Sequence, residues 1–202
     1  MKLIGLCGGS GSGKGALSRI FSEYGIPTVD TDAVYREITS QDSECMRELV
    51  REFGSAVALP SGALNREELR RAVFFAEDRD LSRQKLNKIT HSFILDESRR
   101  RLSQYAKEGI EIAAIDAPLL FESGIDRECD VTVAVTSDRE KRIERICRRD
   151  GISREAAEAR INTQICDGEL SRLADFTIVN NSSIEDLREK ACELIAKIKQ
   201  IN

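Results

Sequence analysis

Histidine, tryptophan and proline are scarce in this 202-residue chain, which has one histidine, no tryptophan and three prolines. The six cysteines are scattered, and no two of them form a Cys-x-x-Cys pair. The sequence therefore lacks the ligand spacings that are typical of a structural zinc site. We expect reduced, mostly buried thiols rather than a zinc site or a framework of disulfides.

A surplus of charge of one sign is also missing. Charged residues make up 33% of the chain, and the net charge is only -4. No overall basic field therefore favours nucleic acid or a membrane surface as a partner. The longest apolar runs, such as Ile110–Ile115, are too short to span a bilayer, and a strand pattern begins at Lys2. We expect a soluble, cytoplasmic protein without a signal peptide.

Glycine is concentrated in one segment, Gly8–Lys14, which reads Gly-Gly-Ser-Gly-Ser-Gly-Lys between the apolar run Leu3–Cys7 and a helical pattern. This context is typical of a Walker A phosphate loop, in which backbone N–H groups and a helix start hold a polyphosphate. Lys14 adds positive charge for the outer phosphates. The pattern asks for Ser or Thr next, to ligate magnesium, but this chain has Gly15 and then Ala16. The predicted nucleotide contacts are Gly9, Ser10, Gly11, Ser12, Gly13, Lys14, Gly15 and Ala16.

Short apolar runs alternate with helical patterns along the chain. This alternation predicts a three-layer α/β/α P-loop fold with a five-stranded parallel sheet. The predicted strands are Lys2–Cys7, Pro27–Asp30, Ile110–Asp116, Val131–Val135 and Phe176–Val179. The main helical patterns are Gly13–Tyr24, Asp42–Phe53, Asn65–Ala76, Asp80–Lys107, Asp138–Arg149, Ser153–Ile165 and Ile184–Lys199.

The same alternation predicts one discontinuous domain. Its core comprises residues 1–31, 109–136 and 172–202. Residues 32–108 interrupt the alternation with helical patterns alone, so they predict an inserted all-helical lobe. Residues 137–171 are rich in arginine and predict a helical lid.

Carboxylates stand at the ends of two predicted strands. The second strand leads into Asp30 and Asp32, and the third ends at Asp116. The carboxyl ends of parallel strands lie at one edge of a sheet, so we expect these groups beside the phosphate loop. There Asp32 can accept a proton from an attacking hydroxyl or orient magnesium, although it can equally cap the following helix. Asp116 resembles a Walker B aspartate, although strands often end in aspartate without such a role.

A row of arginines follows the fourth predicted strand. Arg139, Arg142, Arg145 and Arg149 recur every three or four residues, so one helix face carries them. Interleaved acids would also allow a salt-bridged solvent face. The arginines outnumber the acids locally, however, and phosphoryl transfer needs positive charge and exclusion of water. We therefore place two or three of them in an active site and assign structural roles to the rest.

Together these segments resemble the dephospho-coenzyme A kinase family of P-loop enzymes along the whole chain. The two most specific segments are Pro118–Glu122 and Leu86–His91, which separate this family from adenylate, cytidylate and shikimate kinases. The phosphate loop, Val29–Asp32 and the arginine-rich segment agree with it. A histidine alone, such as His91, is more often a structural residue, so its predicted role depends on this resemblance.

The resemblance implies that the γ-phosphoryl group of ATP, with Mg²⁺, is transferred to the ribose 3′-hydroxyl of dephospho-coenzyme A. It implies that Asp32 is the base, that Lys14 binds ATP, and that Arg145 and Arg149 clasp the transferring phosphate. Asp116 would hold magnesium through water, and a monomer or weak homo-oligomer is expected. The implied acceptor-side residues are Asp32, Arg36, Arg66, His91, Asp116, Leu119 and Arg160, and Asn180 would lie near the adenine.

Gly15 is the important departure from the family pattern, because the loss of a magnesium ligand can slow catalysis by orders of magnitude. Two alternatives therefore stay open: an ATP-binding homologue with impaired catalysis, and another small-molecule P-loop kinase. A guanine-nucleotide switch is not supported, since Asn87–Thr90 lacks the aspartate that reads guanine. Oxidation of Cys7, beside the loop, is a further open question.

Overall fold

The computed structural model describes residues 1–201 and contains a five-stranded sheet, which confirms the predicted α/β class and parallel sheet. In spatial order the strands are β2-β3-β1-β4-β5. The central strand β1 pairs in parallel with β3 and β4, and β4 pairs in parallel with β5. The strands are β1 (Lys2–Cys7), β2 (Thr28–Asp30), β3 (Ile112–Asp116), β4 (Val131–Thr136) and β5 (Phe176–Val179).

Helices connect these strands, and one further helix follows β5. In chain order they are α1 (Lys14–Glu23), α2 (Thr31–Ile38), α3 (Glu44–Phe53), α4 (Arg66–Phe74), α5 (Arg79–Lys107), α6 (Arg139–Asp150), α7 (Arg154–Asn162), α8 (Asp167–Leu173) and α9 (Ile184–Gln200). The helical patterns in the sequence do not predict α8, because Leu170 is the only buried residue of this seven-residue segment. Within residues 1–201, no helix is long and apolar enough to cross a membrane.

The sheet core brings the ends of β1 and β3 together. Leu6 is in register with Asp116, so the last residue of β3 lies beside the strand that leads into the phosphate loop. Ile4 and Leu6 of β1 are fully buried against apolar residues of α1 and α9. Burying each such side chain contributes about 1.5–3 kcal/mol, so this packing anchors the strand from which the loop emerges.

The chain divides into two compact units. One comprises Met1–Val29 with the chain from Tyr105 onward, and the other is Asp30–Gln104. The second unit has its own apolar core, which includes the fully buried Leu49 of α3. The side chain of Ser43 caps α3 by accepting from the Met46 N–H at 3.1 Å, and Asn65 caps α4.

Cys7, the last residue of β1, is fully buried, and its thiol donates to the Val133 carbonyl at 3.7 Å. Burial raises the pKa of this thiol to about 12, although the positive charge of Lys14 acts in the opposite direction. Thiolate is the reactive form of cysteine, so Cys7 is poorly reactive in the folded protein.

We expect iodoacetamide at about pH 8 to modify the exposed Cys166 and Cys192 and to leave Cys7 unmodified in the native protein. Mass spectrometry of tryptic peptides measures the extent of modification at each cysteine. Unfolding in denaturant is the control, since it should make all three residues reactive. Modification of Cys7 as fast as Cys192 under native conditions would contradict this account.

Candidate active site

The phosphate loop connects β1 to α1, and two of its glycines are required by backbone geometry. Gly11 and Gly13 have φ angles of 78° and 100°, in the left-handed region that favours glycine. A Cβ at Gly11 would lie 2.6 Å from the Arg142 carbonyl oxygen, and one at Gly13 would collide with the Asn180 amide. Gly13 is also the N-cap of α1, and no side chain caps this helix. The start of α1 therefore keeps N–H groups for a phosphate.

Two arginines of α6 bind the loop by its carbonyl oxygens. Arg142 is buried, and its Nε donates to the Ser10 carbonyl at 2.9 Å. Arg145 Nη1 donates to the carbonyls of Gly11 at 3.1 Å and of Ser12 at 3.3 Å. The C=O of a planar trans peptide points opposite to the N–H of the next residue. Binding these carbonyls from α6 therefore turns the following N–H groups away from α6.

Two amide side chains complete this attachment. Asn180, which follows β5, is buried and donates from Nδ2 to the Ser12 carbonyl at 2.8 Å. Gln164 accepts from the Ser10 N–H at 2.9 Å and donates to the Ser10 hydroxyl at 3.0 Å. The structure thus places Asn180 against the loop backbone, and a contact of Asn180 with adenine remains a prediction. No local sequence pattern predicts a loop contact for Gln164 or Arg142, because such contacts join residues that are far apart in the chain.

Lys14 and Asp116 form an ion pair between Nζ and Oδ1, and their side chains are only 15% and 9% exposed. Ser18, in α1, places its hydroxyl oxygen 3.3 Å from Asp116 Oδ2 and 3.2 Å from the Lys14 carbonyl. The predicted Walker B carboxylate therefore lies beside the phosphate loop. The negative charge of Asp116 offsets the positive charge of Lys14, and little water reaches this pair.

Gly15 leaves open space where the expected hydroxyl would stand. The residue is exposed, and a Cβ built there meets no atom within 4 Å. No cluster of three or more His, Cys, Asp or Glu side chains that could hold a metal occurs within residues 1–201. Mg²⁺ commonly binds through one or two carboxylates, substrate phosphates and several waters. The oxygens of Asp116 and the space at Gly15 fit a magnesium ion of this kind.

Asp30, not Asp32, caps α2. One oxygen of Asp30 accepts from the N–H groups of Asp32 at 2.9 Å and Ala33 at 3.0 Å. The interpretation of Asp32 as the helix cap is therefore wrong, because the helix starts directly after β2, two residues earlier than a cap at Asp32 requires. The carboxylate of Asp32 lies exposed in the first turn of α2 and takes no part in capping.

Other predicted acceptor-side residues lie in the unit Asp30–Gln104. Arg36 Nη2 is 3.9 Å from Asp30 Oδ2, and both side chains are well exposed. His91 lies partly buried in α5. Arg66 begins α4 and borders a groove of about 290 Å³, with Arg70 on the same rim. The groove is otherwise lined mainly by apolar residues: Tyr35, Leu64, Leu69, Val73, Phe74 and Leu86.

Arg149 and Arg160 share one carboxylate, that of Asp150. Arg149 donates from Nε at 2.7 Å and from Nη2 at 3.0 Å, and Arg160 bonds to the same group through Nη1. Hydrogen bonds from Arg149, and then from Arg160, hold the pKa of Asp150 well below its usual range. Exposed ion pairs contribute little stability, so these guanidinium groups can exchange the carboxylate for a phosphate.

Leu119, in the turn after β3, is also exposed.

Comparison with known proteins agrees with these features. A family model described as dephospho-CoA kinase matches residues 2–186. A dephospho-CoA kinase from Corynebacterium glutamicum is 37% identical over 198 residues and covers 98% of both chains. One from Listeria monocytogenes is 34% identical and covers 97% of this chain and 96% of its own.

Solved structures have the same fold. A Thermus thermophilus protein superposes with a TM-score of 0.75 at 30% identity, covering 97% of both chains. A dephospho-CoA kinase from Campylobacter jejuni gives a TM-score of 0.71 at 24% identity, covering 98% of both. A shikimate kinase from Acinetobacter baumannii, with a TM-score of 0.55 at 17% identity over 100% of this chain and 96% of its own, shares the fold alone. From the phosphate loop, the Lys14–Asp116 pair and the match over residues 2–186, we conclude that this chain belongs to the dephospho-CoA kinase family.

Proposed function

We propose that the protein transfers the γ-phosphoryl group of ATP to the ribose 3′-hydroxyl of dephospho-CoA, giving CoA and ADP. The match of the kinase family model to residues 2–186 carries this proposal. The phosphate loop, with Lys14 in place, supports ATP as the donor. Shared fold with a shikimate kinase, at 17% identity, gives no comparable support for a different acceptor. Both substrates, ATP and dephospho-CoA, are small molecules. We propose that the protein acts on them in the cytoplasm.

Asp32 is the proposed base. It lies in the first turn of α2, two residues after the carboxyl end of β2. The side chain of Asp30 caps this helix, so the carboxylate of Asp32 is not used for capping. An exposed carboxylate at this edge of the sheet can accept the proton of the 3′-hydroxyl as that oxygen forms its bond to the γ-phosphorus. The bond from the γ-phosphorus to the bridging oxygen breaks, and the electron pair leaves with ADP.

Positive charge offsets the charge that develops on the phosphoryl oxygens. Lys14 and the N–H groups at the start of α1 bind the phosphates, and Arg149 and Arg160 are the proposed arginines on the transferring group. Arg145 holds the loop carbonyls in this structure, so we propose that it acts mainly by maintaining loop shape. Asp116 is the proposed magnesium residue, acting through water. When bound, the ion would neutralise charge on the phosphate oxygens.

An ATP-binding homologue with impaired catalysis is the competing interpretation. A coupled assay for ADP formation, run with and without dephospho-CoA and at several magnesium concentrations, tests it directly. Turnover that depends on dephospho-CoA supports the kinase. Tight ATP binding without turnover on dephospho-CoA would favour the impaired homologue, and turnover with AMP, CMP or shikimate instead would indicate another kinase.

We expect Asp32→Asn to bind ATP normally and to turn over at least about a hundredfold more slowly, because the amide cannot accept the proton. Asp30→Asn is the matched control: asparagine also caps helices well, so this variant should keep near-normal activity. Steady-state kinetics and calorimetry of ATP binding separate the two effects. A normal rate in Asp32→Asn would remove Asp32 as the base.

Gly15→Ser is expected to lower the magnesium concentration for half-maximal rate by about tenfold, because it restores a hydroxyl where the structure has open space. Gly15→Ala is the control, since it adds the same Cβ without the oxygen. Initial rates over a magnesium titration provide the measurement. An equal gain in Gly15→Ala would assign the effect to helix stability rather than to the metal.

The two arginines Arg145 and Arg149 should behave differently when each is changed to alanine. Arg145→Ala removes donors to the loop carbonyls, so ADP affinity should fall by about tenfold. Arg149→Ala should leave ADP affinity within about twofold and lower kcat by about a hundredfold. Calorimetry and steady-state kinetics measure these effects, with thermal unfolding as a check of folding. Equal losses of ADP affinity would contradict the division of roles.

A further inference from the structure

The hydroxyl of Ser18 lies beside the proposed magnesium residue, Asp116. Ser18 lies in α1, one helical turn after Gly15, and is partly buried. Its oxygen lies 3.3 Å from Asp116 Oδ2, and Lys14 binds the other carboxylate oxygen, Oδ1. Each oxygen of this carboxylate therefore has its own partner within the first turns of α1.

Asp116 is the stronger acceptor for the Ser18 hydroxyl. The alternative acceptor is the Lys14 carbonyl at 3.2 Å, which in an α-helix already accepts the backbone N–H of Ser18. A hydroxyl has one proton to donate, and a negatively charged carboxylate attracts it more strongly than a neutral carbonyl. The geometry therefore favours donation from Ser18 to Asp116.

Lys14 pairs with Asp116 Oδ1 in this structure, and its ammonium group has three N–H donors. Its proposed task is to bind the outer phosphates, which draws Nζ toward them. Ser18 has no proposed contact with the nucleotide, so its hydroxyl can hold Oδ2 when Lys14 turns to the phosphates. Gly15, which would carry a metal-binding hydroxyl in a standard Walker A motif, offers only open space.

We propose that Ser18 is a positioning residue that compensates for the missing hydroxyl at Gly15. By holding Asp116 Oδ2, it orients the carboxylate toward the water shell of a nucleotide-bound magnesium ion. A water in place of the absent hydroxyl would occupy the open space beside Gly15. This inference rests on the proposed magnesium role of Asp116.

Ser18→Ala tests the proposal, and Ser22→Ala is its matched control. Ser22 lies in the same helix and its hydroxyl donates to the Ser18 carbonyl at 3.2 Å, but it is exposed and remote from Asp116. Calorimetry measures ADP affinity with magnesium and, separately, with EDTA. We expect Ser18→Ala to lose about tenfold in affinity with magnesium and less than about twofold with EDTA. Ser22→Ala should change neither value.

A double-variant cycle tests the compensation itself. In the Gly15→Ser background the effect of Ser18→Ala on ADP affinity with magnesium should shrink to about twofold, because a direct metal ligand is present. An undiminished tenfold effect in that background would overturn the compensation. Equal losses with magnesium and with EDTA, or equal behaviour of Ser18→Ala and Ser22→Ala, would overturn the positioning role.

Asp116→Asn separates this inference from the function on which it rests. If Asp116→Asn loses magnesium-dependent affinity for ADP and Ser18→Ala does not, the role of Ser18 fails and that of Asp116 stands. If Asp116→Asn keeps the affinity of the unchanged protein with magnesium, the proposed metal role of Asp116 fails, and the Ser18 inference fails with it. Dephospho-CoA-dependent ADP formation by the unchanged protein tests the kinase function independently of both.

Discussion

The phosphate loop depends on side chains outside it, which bind its backbone carbonyls. Arg142, Arg145 and Asn180 together contact the carbonyl oxygens from Ser10 to Ser12. A glycine-rich segment has many accessible backbone conformations, and each fixed residue costs about 1–2 kcal/mol of conformational entropy. Charge-assisted hydrogen bonds from two arginines help to offset that cost. The loop can therefore present its N–H groups in one arrangement before the nucleotide arrives, which reduces the entropy lost on binding.

The arginines of α6 consequently divide into two groups, although they form one row in the sequence. Arg142 is buried, pairs with Asp167 and maintains the loop, and removing its charge would leave that carboxylate without its ion-pair partner. Arg149 is exposed and shares Asp150 with Arg160, a contact that a phosphate can replace at little cost. Arg142 therefore maintains the shape of the binding site, whereas Arg149 is suited to move from Asp150 to the phosphate of a bound substrate.

Hydrophobic runs and helical periodicity predict most of the fold, because each strand and most helices carry a local pattern. The five strands agree with the structure to within two residues at each end, as at β3, which begins at Ile112 rather than Ile110. Local patterns do not settle short elements: α8 has too few turns to show a period, and the cap of α2 is Asp30 rather than the alternative cap Asp32. Both cases arise where one or two residues decide a boundary.

The sequence by itself determined the phosphate loop, the strand ends that carry Asp32 and Asp116, and the missing hydroxyl at Gly15, since these are properties of adjacent residues. Only the tertiary structure decided which arginines hold the loop and that Ser18 reaches Asp116, 98 residues away in the chain. The physical reason is that hydrogen bonds between distant segments depend on strand register and helix packing. Leu6 opposite Asp116 sets that geometry for the carboxylate, and no local pattern encodes it.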